Sequence, residues 1–302
     1  MTMKDIFHGI LPAVVTPLTW DNKFAPGPME SLLERLYTAG VHGVYVCGMT
    51  GEGLLQSVAM RQSVAEVAVK CSHRGKVVVV HVGAPKLSEA LPLAHHARRI
   101  GAHAVSSLPP LGARNFAEIR QYYQRLAAAS ELPFLVYYMP AVYPGIATIE
   151  QILELCHIPN VIGLKFTDFD LYKLHSIKKA NYLIFNGRDE VLVAGLLMGA
   201  DGGIGSTYNL IPELYVELYK LAGQQRWEAA RRLQDRANEL IDIILRFPLL
   251  PAIKAMLAWS GIDCGPSFKR PQTLTAFQRS QLRNLLLKSS FAGYPFAGLG
   301  LR

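Results

Sequence analysis

Eight short apolar runs, each followed by a segment with helical spacing, constrain this 302-residue chain more than any other feature. Runs rich in β-branched residues and bounded by turn formers read as buried strands, and regular strand–helix alternation builds a parallel sheet. Strands are expected at 11–17, 43–48, 76–83, 104–110, 133–140, 161–167, 182–187 and 201–207, with helices such as 28–39, 57–71, 87–100 and 116–129 between them. Eight is the strand count of a closed (β/α)8 barrel. An open doubly wound sheet usually has fewer strands and a Gly-rich dinucleotide turn after the first. Here Val15-Thr16-Pro17-Leu18 stands at that place. The eighth barrel helix is expected at 212–222, and helices at 226–247, 251–259 and 273–288 follow it. The predicted fold class is therefore α/β, a TIM barrel over 1–223 with a C-terminal helical extension over 224–302 packed on it. The aromatic, Gly-rich stretch 291–298 reads either as a docked tail or, as expected of a terminus, as a frayed end.

Hydrophobic content of 50% and charged content of 18% exclude a disordered chain. The net charge of +8 raises the question of nucleic acid, but lysines and arginines are scattered in pairs such as Arg98-Arg99, Lys178-Lys179 and Arg231-Arg232. Nucleic-acid binding needs such charges gathered into a patch. A solvated basic surface is expected instead, with a mild pull on anionic substrates. No apolar stretch is long enough to cross a bilayer. The opening Met1-Thr2-Met3-Lys4-Asp5 lacks an apolar core and a small-residue cleavage site, so a cytoplasmic protein without a membrane partner is expected. Cys47, Cys71, Cys156 and Cys264 are far apart, which predicts free thiols and no metal site. Cys47 reads as a small buried apolar residue.

Active sites of such barrels lie at the C-terminal strand ends. The sixth run, Val161-Ile162-Gly163-Leu164-Lys165-Phe166-Thr167, carries a lysine there. Burial disfavours the ammonium and leaves a neutral amine, the nucleophile that forms Schiff bases with carbonyl compounds. Alternatively, Lys165 snorkels at a strand end and the nearby tyrosines fill the core. The fifth run ends in Tyr137-Tyr138, a candidate proton carrier. Polar or small residues also end the second run (Gly48-Met49-Thr50-Gly51-Glu52), the seventh (Gly187-Arg188-Asp189-Glu190) and the eighth (Gly205-Ser206-Thr207-Tyr208-Asn209). The Thr50-Gly51-Glu52 turn offers backbone N–H groups and a hydroxyl to a carboxylate. It reads equally as a tight turn with Glu52 as a cap.

The ordered set Gly48-x-Thr50-Gly51-Glu52, Tyr137-x-x-Pro140, Gly163-x-Lys165-x-Thr167 and Gly187-x-Asp189-Glu190 resembles the pyruvate-dependent class I aldolases of the dihydrodipicolinate synthase and N-acetylneuraminate lyase superfamily. The resemblance spans nearly the whole chain. The stretches 186–190 and 199–209 are similar to the lyase branch, and Val142 stands where synthases carry an arginine that grips a substrate carboxylate. The resemblance implies a retro-aldol cleavage of N-acetylneuraminate to N-acetylmannosamine and pyruvate, without a cofactor or metal. Lys165 would form the Schiff base and Tyr137 would carry the proton of the C4 hydroxyl. Met49, Thr50 and Gly51 would surround the pyruvate carboxylate, and Thr167, Gly187, Asp189, Glu190 and Ser206 would bind the sugar chain. A small 2-keto acid or sugar acid is the implied substrate, and a homotetramer the implied assembly. The alternatives are an aldolase or dehydratase acting on another 2-keto-3-deoxy sugar acid, a synthase-like enzyme, and a non-catalytic barrel.

Three positions depart from the family's pattern. Met49 replaces a serine or threonine, and a thioether cannot donate a hydrogen bond. Losing one such bond to a charged group costs about 1.5 to 3 kcal/mol, roughly tenfold to a hundredfold in rate or affinity. Pro109-Pro110-Leu111-Gly112 lacks the tyrosine that synthases lend to a neighbouring subunit. Arg188, inside the sugar loop, either binds an acidic substrate group or lies on the rim in solvent.

Overall fold

The computed structural model describes residues 3–110 and 112–297. Leu111 and Gly298, which belong to two stretches discussed above, lie outside the described residues. The strands are β1 (Gly9–Pro12), β2 (Gly43–Val46), β3 (Val77–His81), β4 (Ala104–Ser107), β5 (Phe134–Tyr138), β6 (Val161–Phe166), β7 (Leu183–Asn186) and β8 (Gly202–Gly205). All paired strands are parallel, in the order β1-β8-β7-β6-β5-β4-β3-β2. The remaining seam closes through an isolated parallel bridge between Ala13 and Tyr45 and a bond from the Val14 amide to the Tyr45 carbonyl. The sheet is thus a (β/α)8 barrel, as the alternation predicted.

Helices α1 (Met3–Ile6), α2 (Pro26–Thr38), α3 (Val58–Lys70), α4 (Leu87–Arg99), α5 (Phe116–Ser130) and α6 (Ile149–Cys156) accompany the first half of the barrel. Helices α7 (Leu171–Lys178), α8 (Leu192–Leu197) and α9 (Pro212–Gly223) complete it, and α10 (Trp227–Ile244), α11 (Leu249–Trp259) and α12 (Ala276–Leu287) extend it.

Strand side chains alternate between two cores, as a period of two demands. Leu11, Tyr45, Val79, Leu135, Tyr137, Phe185 and Ile204 fill the barrel interior. Val44, Val78, Val105, Val136, Leu164 and Ile184 face outward into the layer under the helices. The same outer core takes Leu240, Ile244, Ile253 and Leu257 of α10 and α11. The extension therefore shares the barrel's own core. Among the described residues no helix is long and apolar enough to cross a membrane.

Two expectations need correction. The first strand is Gly9–Pro12, not 11–17. Pro12 has no N–H to continue a ladder. Beyond it the Ala13 and Val14 amides still reach the Gly205 and Tyr45 carbonyls (2.9 Å each), and the Asn209 side chain takes over from there, donating to the Ala13 carbonyl (2.7 Å) and accepting from the Val15 amide (3.4 Å). The C-terminal stretch, as far as residue 297, is docked and not frayed. Phe291 and Phe296 are fully buried, and the Arg236 guanidinium lies 5.2 Å from the Phe291 ring centre. Burying two phenylalanine side chains is worth about 1.5 to 3 kcal/mol each, enough to hold a short terminal segment.

Candidate active site

The register of the central strands brings the reactive pair together. Tyr137 pairs with Lys165, and Lys165 with Phe185, so the three side chains enter the barrel at one level. A bulge in β6 sets this register: Phe134 opposes Val161, but Leu135 opposes Gly163, leaving Ile162 as the extra residue. Bulges re-aim the side chains that follow them. A Cβ on Gly163 would lie 1.9 Å from the Leu183 carbonyl oxygen, so only glycine permits the approach of β7 here.

Lys165 is 4% exposed, and its amine lies 4.5 Å from the Tyr45 ring centre and 4.2 Å from that of Tyr137. Two aromatic faces stand where an ammonium would need water. Burial pushes the amine's pKa down to about 7, although the Asp189 carboxylate pulls it up. A substantial fraction is thus neutral and nucleophilic near neutral pH, in contrast to a snorkelling lysine. The Tyr137 phenol, 3% exposed, is pushed up to about 12 by burial, against the opposing effects of the Thr167 hydroxyl and the Arg188 charge. It keeps its proton until chemistry draws on it. The Thr167 hydroxyl is buried near Tyr137 without a well-formed hydrogen bond inside the protein, so it has capacity to serve a ligand.

Opposite the lysine, the Thr50 and Ser206 hydroxyls meet at 2.6 Å, joining the loop after β2 to the end of β8. The Gly51 carbonyl is held by the Thr16 hydroxyl (2.7 Å) and the Gln56 amide (2.6 Å). Glu52 adopts a left-handed backbone (φ 53°) and leads into a 3₁₀ turn at Gly53–Leu55, while Ser57 caps the next helix, α3. Glu52 precedes that turn, but its side chain makes no capping bond. Its buried carboxylate accepts the backbone N–H groups of Phe268 (3.1 Å) and Lys269 (2.9 Å). Lys254 of α11 adds a second anchor, donating to the carbonyls of Thr16 (2.8 Å) and Pro266 (2.5 Å). Together they fasten the strap 266–271 over the barrel mouth. Glu52→Ala removes both acceptors, and a loss of about 1.5 to 3 kcal/mol in urea unfolding is expected. Faster hydrogen exchange confined first to 266–271 is the accompanying readout, and unchanged exchange there would contradict this anchoring.

Asp189, on the loop after β7, is buried and receives both the backbone N–H (2.8 Å) and the hydroxyl (2.7 Å) of Thr207 on one oxygen. Burial raises its carboxyl to about 6, while those two bonds and Lys165 favour the anion. A Cβ at Gly205 would lie 2.0 Å from the other carboxylate oxygen, which explains the glycine. Helix α10 holds this loop through Gln234 to the Asp189 carbonyl (2.8 Å) and Asn238 to the Glu190 carbonyl (3.0 Å).

These groups surround a cavity of about 800 Å³. Lys165, Tyr137, Met49, Thr50, Thr167, Gly187, Asp189, Glu190 and Ser206 all line it, whereas Gly51 does not. Met49 is 37% exposed there and brings a thioether in place of a hydroxyl. Arg188 lies on the wall with its guanidinium 4.4 Å above the Phe169 ring centre. Cys47 is buried and its thiol is pushed up to about 11 by burial, consistent with an inert packing residue. Sequence reasoning missed Tyr45, Gln234, Lys254 and the strap residues Lys269 and Arg270, and it placed Thr207 at the end of the eighth run without its bonds to Asp189. Tyr45 was accessible from the alternation of β2. The others are remote in sequence from the strand ends they serve, and no local pattern marks them.

A (β/α)8 barrel holding a desolvated lysine beside a tyrosine at the C-terminal strand ends defines the class of lysine-dependent aldolase barrels. The chain belongs to the dihydrodipicolinate synthetase family, whose pattern matches residues 6–289. It is 38% identical over 269 residues to the N-acetylneuraminate lyase of Rhizobium meliloti (strain 1021), covering 87% of this chain and 89% of that protein. It is 33% identical over 273 residues to N-acetylneuraminate lyase 2 of Escherichia coli O6:H1, covering 89% and 90%. Among solved structures, the Ruminococcus gnavus sialic acid aldolase superposes with a TM-score of 0.88 at 29% identity, covering 92% of this chain and 95% of that one. That aldolase has also been solved as a catalytic lysine mutant, which superposes with a TM-score of 0.89 at 28% identity, covering 94% and 95%.

Proposed function

We propose that this protein is a Schiff-base carbon–carbon lyase that cleaves N-acetylneuraminate to N-acetylmannosamine and pyruvate. The single observation that carries the chemistry is Lys165, a buried amine lowered to about 7 beside the Tyr137 phenol. Its relatives carry the substrate: proteins named N-acetylneuraminate lyase match it over most of their length.

In this reading the neutral Lys165 amine attacks C2 of the open-chain keto acid, and loss of water gives a protonated imine. The imine draws electrons as the C3–C4 bond breaks, and Tyr137 relays the proton of the C4 hydroxyl, passing its own phenolic proton to the substrate carboxylate as the aldehyde forms. The enamine left on Lys165 is protonated at C3, and water releases pyruvate and returns the free amine. The Thr50 hydroxyl and the adjacent backbone hold the carboxylate, and Ser206, expected at the sugar chain, is assigned here to the carboxylate because its hydroxyl meets that of Thr50 at 2.6 Å. Thr167, Glu190 and the backbone at Gly187 hold the hydroxylated chain, and Asp189 both lines the wall and fixes the Thr207 turn. Met49 removes one donor, and the remaining hydroxyls bear the anion. The barrel over 1–223 is the catalytic unit and the extension over 224–302 supports the mouth. A homotetramer in the cytoplasm completes the proposal.

The test is direct turnover of N-acetylneuraminate, with pyruvate and N-acetylmannosamine both quantified. Because Lys165 must be neutral to attack, kcat/KM is expected to rise with pH through about 7 and to level off above it. A rate that falls over the same interval would contradict the assignment of the nucleophile. Cleavage of a different 2-keto-3-deoxy sugar acid, with N-acetylneuraminate untouched, would move the reading to that substrate.

A further inference from the structure

Arg188, Lys269 and Arg270 all line the wall of the lysine cavity. Among the described residues none of the three is in an ion pair. The acids that line the cavity are largely engaged. Glu52 accepts the strap's backbone N–H groups, and Asp189 accepts Thr207. Glu190 is the remaining carboxylate, so cations outnumber it on the wall.

Arg188 is held in place, and the backbone that carries Lys269 and Arg270 is fastened. The face of Arg188 rests on Phe169, and its Nε is buried without a hydrogen-bond partner. A guanidinium stacked on one face offers its N–H edge to an oxyanion, and a buried N–H without an acceptor is a deficit that a ligand can fill. Lys269 and Arg270 sit on the strap that Glu52 and Lys254 fasten across the mouth. The pre-positioned Arg188 guanidinium loses less entropy on binding than a free surface cation. The substrate's own carboxylate belongs at the base, beside Thr50 and Ser206, so an anion at these three side chains is a second one. A cavity of about 800 Å³ lies toward the upper end of the range for small-molecule sites, which leaves room for a chain with a terminal group.

We propose that Arg188, Lys269 and Arg270 form a distal anion subsite that takes a second oxyanion, a phosphate or a carboxylate, at the far end of the keto-acid substrate. The subsite rests on the aldolase reading for its substrate, but its charge preference is separable from catalysis. The protein then favours a phosphorylated or twice-carboxylated sugar acid over a neutral-tailed one.

The experiment compares N-acetylneuraminate with its 9-phosphate and its 9-carboxylate in wild type and in Lys269→Gln/Arg270→Gln. Wild type is expected to have the higher kcat/KM on one or both anion-tailed compounds. The double variant is expected to lose about tenfold to a hundredfold on these, mainly in KM, with little change on N-acetylneuraminate. The arm that loses more identifies phosphate or carboxylate as the preferred group. Arg188→Gln deepens the loss, but its charge also reaches Tyr137, so selectivity is judged on the strap pair. Equal losses on all three compounds, or a wild type that prefers the neutral tail, overturn the subsite.

Calorimetry with inorganic phosphate keeps the subsite testable if no sugar acid is cleaved. Binding is expected to survive Thr50→Val and to vanish in Arg188→Gln/Lys269→Gln/Arg270→Gln. Binding unchanged in the triple variant overturns the proposal whatever the fate of the aldolase reading.

Discussion

Lys165→Met is expected to abolish turnover and to remove the borohydride-trapped pyruvate adduct that intact mass detects on the wild type. Removal of a covalent nucleophile typically lowers kcat by on the order of 10⁴ to 10⁶. The same substitution should stabilise the fold. Lowering a lysine from 10.5 to about 7 means that its ammonium is disfavoured in the barrel by up to about 5 kcal/mol relative to the unfolded chain. Between those two values the unfolded chain holds a proton that the native site has lost, so native stability rises with pH across that window. The penalty is full below about pH 7 and fades toward 10.5. The stabilisation of Lys165→Met over wild type should therefore be largest at about pH 6 and small near pH 10. Equal stability of the two proteins at both values would mean that Lys165 is not desolvated. An adduct persisting in the variant would place the Schiff base elsewhere.

Tyr137→Phe is expected to separate imine formation from bond cleavage. The ring that shields Lys165 is kept, so pyruvate should still be trapped by borohydride. What is lost is the relay that carries the C4 hydroxyl proton to the substrate carboxylate, and a positioned acid or base typically contributes about 10² to 10⁴ in rate. The loss should fall on kcat with a comparatively small change in KM. It should also remove the alkaline response set by a phenol near 12, visible as an altered kcat profile at high pH. If Tyr137→Phe cleaves substrate at the wild-type rate, another group moves the proton, and the buried Thr167 hydroxyl beside it is the next to substitute.

Much of the architecture was legible because it depends on local periodicity. Apolar runs at 77–81 and 134–138 must bury both faces, which a doubly wound sheet or a barrel allows, and eight such runs without a Gly-rich turn after the first favour the barrel. Lys165 was legible for a related reason, as a charge in an apolar run is conspicuous wherever the run folds. The first strand was placed too far along because Ala13, Val14 and Val15 are as apolar as a strand, and only Asn209, almost two hundred residues away, takes up the Ala13 carbonyl and the Val15 amide where the ladder would continue. The terminal aromatics were misread because a Gly-rich end looks unanchored until helices supply a surface for Phe291 and Phe296.

Sequence alone thus determined the barrel and its C-terminal helices and singled out Lys165 and Tyr137 as the proposed nucleophile and proton carrier, because strand period and the chemistry of a buried amine are properties of short segments. Tertiary structure alone decided the rest of the mouth. Glu52 and Lys254 become anchors for a strap more than two hundred residues after Glu52, and Lys269 and Arg270 reach the cavity on that strap. Asp189 becomes a buried carboxylate bonded to Thr207 through the approach of β7 to β8. Hydrogen bonds and electrostatic pairs between remote segments depend on distances that only the closed barrel sets, and those distances leave no periodic trace in the chain.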